Sequence, residues 1–153
     1  MTLFDALVDR ALAAQPDLAP LRAVVEKELL HHDILREMSG AGLLAGLTFI
    51  GGTCLRACFG SNRLSEDLDF TGGQTIQRES LDMLGEVLVR TLEGKYGLDV
   101  VVAEPIKEAG PVDTWRVRVT TRPGRPDLPA QHIHVDVCAV PSYQRHPTVL
   151  RQP

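Results

Sequence analysis

The chain has 153 residues, 44% hydrophobic and 24% charged, with a net charge of −4. That length and balance describe one globular domain with a real core and exclude a disordered or fibrous chain. The acidic balance excludes a protein that coats nucleic acid generally, so any RNA contact has to be local, and it suits a carboxylate site that awaits cations.

The first helix spans residues 2 to 14, with Leu3, Leu7, Val8, Ala11 and Leu12 at helical spacing. Thr2 and Asp5 form a capping box in which Asp replaces the usual Glu or Gln. The acids in this stretch stand where a signal peptide carries bases, so it is expected to be part of the fold. Pro16 and Pro20 interrupt the pattern. Asp17 is placed to cap a second helix from about Leu18 to Met38, with Leu21, Val24, Val25, Leu29, Ile34, Leu35 and Met38 as its apolar stripe. His31 and His32 are adjacent and point to different helix faces. They are read as facing solvent or a partner, not as a chelating pair. Ser39 and Gly40 end the helix.

Leu47 to Ile50 reads as a short buried strand, Thr53 to Phe59 as a short helix and Leu68 to Thr71 as a second strand closed by Gly72 and Gly73. A third long helix is expected from about Ile76 to Leu92, leaving through Gly94 and Gly97. Leu98 to Ala103 is β-rich. Trp115 to Thr121 alternates, with Trp115, Val117 and Val119 inward and Arg116 and Arg118 outward. Eight of the ten prolines lie from Pro105 onward and separate patterned runs. Arg122 to Pro129 is a hairpin-like loop, and Gln131 to Val140 is the last strand. The order of elements predicts an α/β fold with a mixed sheet and helices packed on it. The odd cysteine set Cys54, Cys58 and Cys138 contains no Cys-x-x-Cys pair. It reads as free, small buried thiols, which fits a reducing cytoplasm. No apolar run reaches membrane-spanning length.

The chemistry concentrates between Thr48 and Thr71. A strand, then Gly51-Gly52, then a helix start is a phosphate-binding arrangement. Glycine admits the anion close to the backbone, and the helix start offers free N–H groups at a positive dipole end. Asp67 and Asp69 are at i and i+2, on one face of a strand. Carboxylates so close repel unless cations sit between them, and magnesium binds a few carboxylates together with phosphate oxygens. A third acid is expected from the alternating segment His132 to Cys138. Ile133, Val135 and Val137 would face the core, while His132, His134, Asp136 and Cys138 share the other face. Asp136 can complete a two-metal carboxylate set and take the proton of an attacking hydroxyl. His132 and His134 could donate hydrogen bonds to those carboxylates. Ser65 could donate to a phosphate oxygen, and Arg63 could neutralise phosphate charge. Arg56 is expected to be solvated.

These residues resemble the DNA polymerase β-like nucleotidyltransferase superfamily. More narrowly, Gly51-Gly52-Thr53-x-Leu55-Arg56 followed by Arg63-x-Ser65-Glu66-Asp67-Leu68-Asp69-Phe70 resembles the AbiEii/AbiGii toxins of type IV toxin–antitoxin and phage abortive-infection systems. The motif covers about twenty residues. The resemblance implies a polymerase β-like fold and nucleotide transfer from an NTP with magnesium (two ions, manganese as a substitute). The acceptor would be RNA, notably a tRNA 3′ end, or a protein hydroxyl. It carries Gly51, Gly52, Thr53, Arg63 and Ser65 over as NTP contacts, and Asp67, Asp69 and Asp136 as catalytic metal ligands. It also implies a cognate antitoxin. Relatives continue into a lysine-bearing helical motif, and none of Lys27, Lys95 and Lys107 sits in one. Residues 1–153 are therefore expected to be the catalytic core without that C-terminal part, with self-association on an uncovered face.

Two other readings compete. Asp67-Leu68-Asp69-Phe70-Thr71 also fits the Asp-x-Asp-x-Thr signature of haloacid-dehalogenase-like phosphatases, where the first Asp is a nucleophile behind a hydrophobic strand. A truncated form of the nucleotidyltransferase fold could alternatively bind NTP or a protein without turnover.

Overall fold

The capping box forms at the amino end: Asp5 N–H donates to Thr2 Oγ1 at 3.1 Å and Thr2 N–H to the Asp5 carboxylate at 3.2 Å. The computed structural model describes residues 2–61, 65–105 and 111–150. Helix α1 (Leu3–Ala14) buries Phe4 and Val8. The second helix does not begin at Leu18. Residues Pro16–Leu21 form a 3-10 turn in which Asp17 makes no capping bond, and α2 runs Arg22–Gly40. Pro20 has no N–H to give an α-helical ladder, so the regular helix starts beyond it.

Strand β1 (Thr48–Ile50) passes directly into α3 (Gly51–Phe59), and β2 is Leu68–Thr71. The predicted helix from Ile76 divides into a 3-10 turn at Arg78–Leu81 and helix α4 at Leu84–Tyr96. Ile76 instead lies over Gly72, where a β-carbon would come within 2.7 Å of its side chain. Helix α4 ends on Gly97 in the left-handed conformation. Strands β3 (Asp99–Ala103), β4 (Val112–Thr120) and β5 (Gln131–Cys138) complete the sheet.

The strand order is β1-β2-β5-β4-β3. Only β2 and β5 are parallel; the other pairs are antiparallel. One face carries Trp115, Val117, Val119, Ile133, Val135 and Val137, all buried in a core shared with Phe4, Leu30, Ile34, Met38, Leu84, Leu88 and Leu92. Each large side chain so buried contributes about 1.5–3 kcal/mol. The helices thus cover one face, and the alternation turns the polar residues of β4 and β5 to the other.

Buried charge is neutralised internally on the helical side. Asp33 is 3% exposed and accepts from Lys95 Nζ and Arg36, each at 2.8 Å, and from the Tyr96 hydroxyl. Burial, and then the bond to Asp33, hold the Tyr96 phenol above its usual range. Glu26, also buried, faces Arg22 and Arg122 and accepts from Gln131 Nε2 at 3.3 Å. Gln131 in turn donates to the Ala23 carbonyl at 2.9 Å, which ties α2 to the start of β5. The three thiols are free, and burial first, then Cys58, push the Cys54 thiol up to about 11.

Candidate functional site

The register of the parallel pair sets the site. Leu68 lies opposite Val135 and Asp69 opposite Asp136. Asp67 comes one residue before β2, not within it. Continuing the register by one step puts it beside His134, and the His134 N–H donates to Asp67 Oδ1 at 3.1 Å. Two residues of β2 or its lead-in thus stand next to two of β5, on the face away from the core.

The Glu66–Asp67 segment is held by two further bonds. Thr53 Oγ1 donates to the Asp67 carbonyl, and His31 Nε2 donates to the Glu66 carbonyl at 2.8 Å. His31 is therefore not outward-facing. It is 3% exposed, and its burial lowers its affinity for a proton. The i, i+3, i+4 reading of α2 left this side chain out of the core because histidine is polar. The pattern carries no sign that a backbone carbonyl from a distant loop meets it. Thr53 is also redirected: its hydroxyl is used inside the protein and the residue is 4% exposed, so only its backbone N–H remains to face a phosphate.

The glycine pair has a geometric reason. Gly51 has φ +82°, and a β-carbon there would come within 2.6 Å of Asp69 Oδ2. At Gly52 a β-carbon would lie 3.0 Å from Ser65 Oγ. The turn is packed against Asp69 and Ser65, so a β-carbon at Gly51 would collide with the carboxylate and one at Gly52 would press on the Ser65 hydroxyl. Ile50 caps α3 without a side-chain hydrogen bond, which leaves the first N–H groups of the helix free to meet an anion. Arg63 lies outside the described residues. Arg56 is not simply solvated: it pairs with Glu28 and donates to the Ser61 carbonyl at 3.2 Å. Both line a cavity of about 350 Å³ behind α3, together with His31, His32 and Ser65.

Asp67, Asp69 and Asp136 crowd one another. Burial first, then the charges of Asp136 and Asp67 and a hydrogen bond shared with Asp136, raise Asp69 above the ordinary carboxylate range. Thr114 Oγ1 on β4 donates to Asp136 Oδ1 at 2.5 Å and fixes that carboxylate. No Lys or Arg among the described residues pairs with any of the three acids. Ligand atoms of Asp67, His134 and Asp136 lie within 4.8 Å of one another, a donor set suited to a divalent cation. Sequence reasoning made His134 a hydrogen-bond donor to the carboxylates; the structure instead brings its ring nitrogen within 4.8 Å of the Asp67 and Asp136 carboxylates. The haloacid-dehalogenase-like reading does not survive, because β2 begins only after Asp67 and residues 65–67, which lead into it, are not strand.

A family model described as "Nucleotidyl transferase AbiEii toxin, Type IV TA system" matches residues 33–153. Among solved structures, JHP933 from Helicobacter pylori is similar at 23% identity and TM-score 0.50, over 79% of this chain and 47% of that one. A candidate nucleotidyltransferase from H. pylori matches at 24% identity and TM-score 0.45, over 74% of this chain and 45% of its own. The first likeness supports the fold. The chain spans about half the length of either solved protein. Among curated proteins none matches significantly.

Proposed function

As the chain belongs to the AbiEii nucleotidyl transferase toxin family of type IV toxin–antitoxin systems, we propose that it is the catalytic part of a nucleotidyltransferase. It would transfer a nucleotide from an NTP to a hydroxyl of RNA, a tRNA 3′ end foremost. The observation that carries this reading is the convergence of Asp67, Asp69 and Asp136 beside a glycine-lined helix start, with no counter-charge among the described residues. Asp33 and Glu26 are paired with cations; among the described residues these acids are not.

Each residue then has a task. The N–H groups at the start of α3 and Ser65 Oγ take the triphosphate, and Gly51 and Gly52 let it approach. Asp67, Asp69 and Asp136, with His134 as an added nitrogen donor, would hold divalent ions, magnesium first and manganese as a substitute. When bound, such ions neutralise phosphate charge and make the attacking hydroxyl more acidic. The acceptor oxygen bonds to the α-phosphorus, the bond to the β-phosphate oxygen breaks, and pyrophosphate leaves. The hydroxyl proton passes to Asp136, whose other contact, from Thr114, keeps it in place. His31 and Thr53 act earlier, by fixing the segment that delivers Asp67. Family membership implies a cognate antitoxin as partner. No helix of the described residues is long and apolar enough to cross a membrane. Free thiols suit a reducing cytoplasm.

The test is incubation of the pure chain with labelled NTPs, magnesium and total tRNA. Label should enter RNA with the wild type and be lost with Asp67→Ala and Asp69→Ala. Intact NTP affinity without transfer to any acceptor would instead favour a binding module of the same fold.

A further inference from the structure

Outside the acidic centre, one cluster on the open face is left without a role. Arg116 pairs across the β4–β5 ladder with His134, and Arg118 with His132. Directly paired residues share a face, so the two guanidiniums and two imidazoles form a block on the side opposite Trp115, Val117, Ile133 and Val135. Arg116, Arg118 and His132 are exposed.

Arg22, Arg36, Arg56, Arg78, Arg122 and Arg125 each meet a carboxylate. Arg116 and Arg118, like Arg10, Arg90 and Arg145, meet none among the described residues; what sets these two apart is that they stand together on the sheet face that bears the acids. Their position relative to the centre matters more. The glycine turn leaves β1, on one side of the β2–β5 pair that bears the acids; β4 lies on the other side. A triphosphate on the glycine side leaves the arginines facing the second substrate. Two residues apart on a strand, they stand about 7 Å from each other, which suits successive phosphates of an extended polynucleotide. The neighbouring His132 can stack on or hydrogen-bond to unpaired bases.

We infer that Arg116 and Arg118, with His132 beside them, are the track on which the phosphodiester backbone of a single-stranded RNA acceptor approaches the carboxylate centre. The inference rests on the nucleotidyltransferase reading for its direction and on the unpaired block for its location. Phosphate contacts of this kind position the strand without reading its sequence.

The experiment measures binding of the full chain to a labelled single-stranded RNA of mixed sequence, titrated from about 50 to 200 mM salt. Arg116→Ala/Arg118→Ala should weaken binding about tenfold or more at the low end and reduce the salt slope by about 1.4, two single-strand contacts at about 0.7 each. Arg116→Lys/Arg118→Lys should restore most of both, and affinity for magnesium–ATP should stay unchanged. Unaltered RNA affinity and slope in the alanine variant, or no RNA binding by the wild type, overturns the inference. So does a loss that falls on ATP affinity, which would give the arginines to the triphosphate. Asp69→Asn separates the two readings. Transfer abolished by Asp69→Asn, with RNA binding insensitive to the arginines, leaves the enzyme standing and removes the track. Arginine-dependent RNA binding in a chain that transfers nothing keeps the track and removes the enzyme.

Discussion

Asp33 is buried and Asp69 half-buried, and the protein treats these two carboxylates in opposite ways. Asp33, on α2, is surrounded by Lys95, Arg36 and the Tyr96 hydroxyl. Asp69, on β2, is surrounded by Asp67 and Asp136, and its proton affinity rises because burial and two like charges oppose ionisation. A buried acid satisfied by its own chain joins α2 to α4. A crowded acid with no Lys or Arg of the described residues beside it is arranged for something that arrives from outside. The contrast supports the proposed chemical role of Asp69 without reference to any relative.

The largest test of this contrast changes Asp69 to Asn. Transfer should fall by about 10²–10³-fold or more, as for the loss of a central electrostatic group. Thermal stability without divalent ions should hold or rise, since one of three repelling charges is removed. Manganese or magnesium at about 100 times its dissociation constant should stabilise the wild type by about 2.7 kcal/mol, and the variant by much less. With manganese bound, pulsed EPR should show nitrogen coupling from His134 that disappears in His134→Ala. Strong stabilisation of Asp69→Asn by the ion would remove Asp69 from the site.

Asp33→Ala should do the reverse. Removing the acceptor of three donors should cost about 2–4 kcal/mol of stability, tempered because Lys95 and Arg36 can return to water. Activity per folded molecule, read with denaturation by urea as the companion measurement, should stay near wild type. A smaller effect compares two glycines. Gly51→Ala faces both a positive φ and Asp69 Oδ2, whereas Gly60→Ala faces a φ of +71° with nothing within 4 Å. Both should lose about 1–2 kcal/mol from the backbone. Only the Gly51 variant should also lose NTP affinity and transfer. Equal activity in the two variants would deny the turn its place in the site.

The acids of this site were legible because period-two alternation is a local rule. Asp69, Asp136 and the inward Val135 follow from it directly, as does β2 with its bounds at Leu68 and Thr71. The juxtaposition of β2 with β5 was not local. Their parallel pairing joins residues more than 60 positions apart and appears only once the chain has folded. The start of α2 and the split before α4 were misplaced because apolar spacing continues through Pro20 and Ile76, where backbone geometry does not. His31 failed for a related reason: composition marks it polar, and its partner is a carbonyl 35 residues away.

That histidine supports the subtlest prediction. His31 is packed on α2 near Lys27, Glu28 and His32 and bonded to Glu66. Burial disfavours its charged form, the Glu66 carbonyl favours it less strongly, and the net result is a folded pKa below the ordinary value. The unfolded chain titrates near pH 6.5. Between the folded and unfolded pKa the unfolded state therefore binds more protons, and stability rises with pH through that window. The contribution is fully present above about pH 6.5 and is lost as pH falls toward the depressed folded pKa, with a slope of at most about 1.4 kcal/mol per pH unit. Half-buried His32, also lowered mainly by burial, adds a slope of the same sign. His31→Gln should flatten the acid limb of a urea-midpoint profile measured from about pH 7 to 5. The same variant should lower transfer at pH 7.5, above the titration of His31, because the glutamine amide cannot reproduce the reach of Nε2 to Glu66. An acid limb of unchanged steepness would assign the pH dependence to other groups. A flattened limb with full transfer would show that the Glu66 bond steadies the fold without setting Asp67, whose placement would then rest on Thr53 and His134 alone.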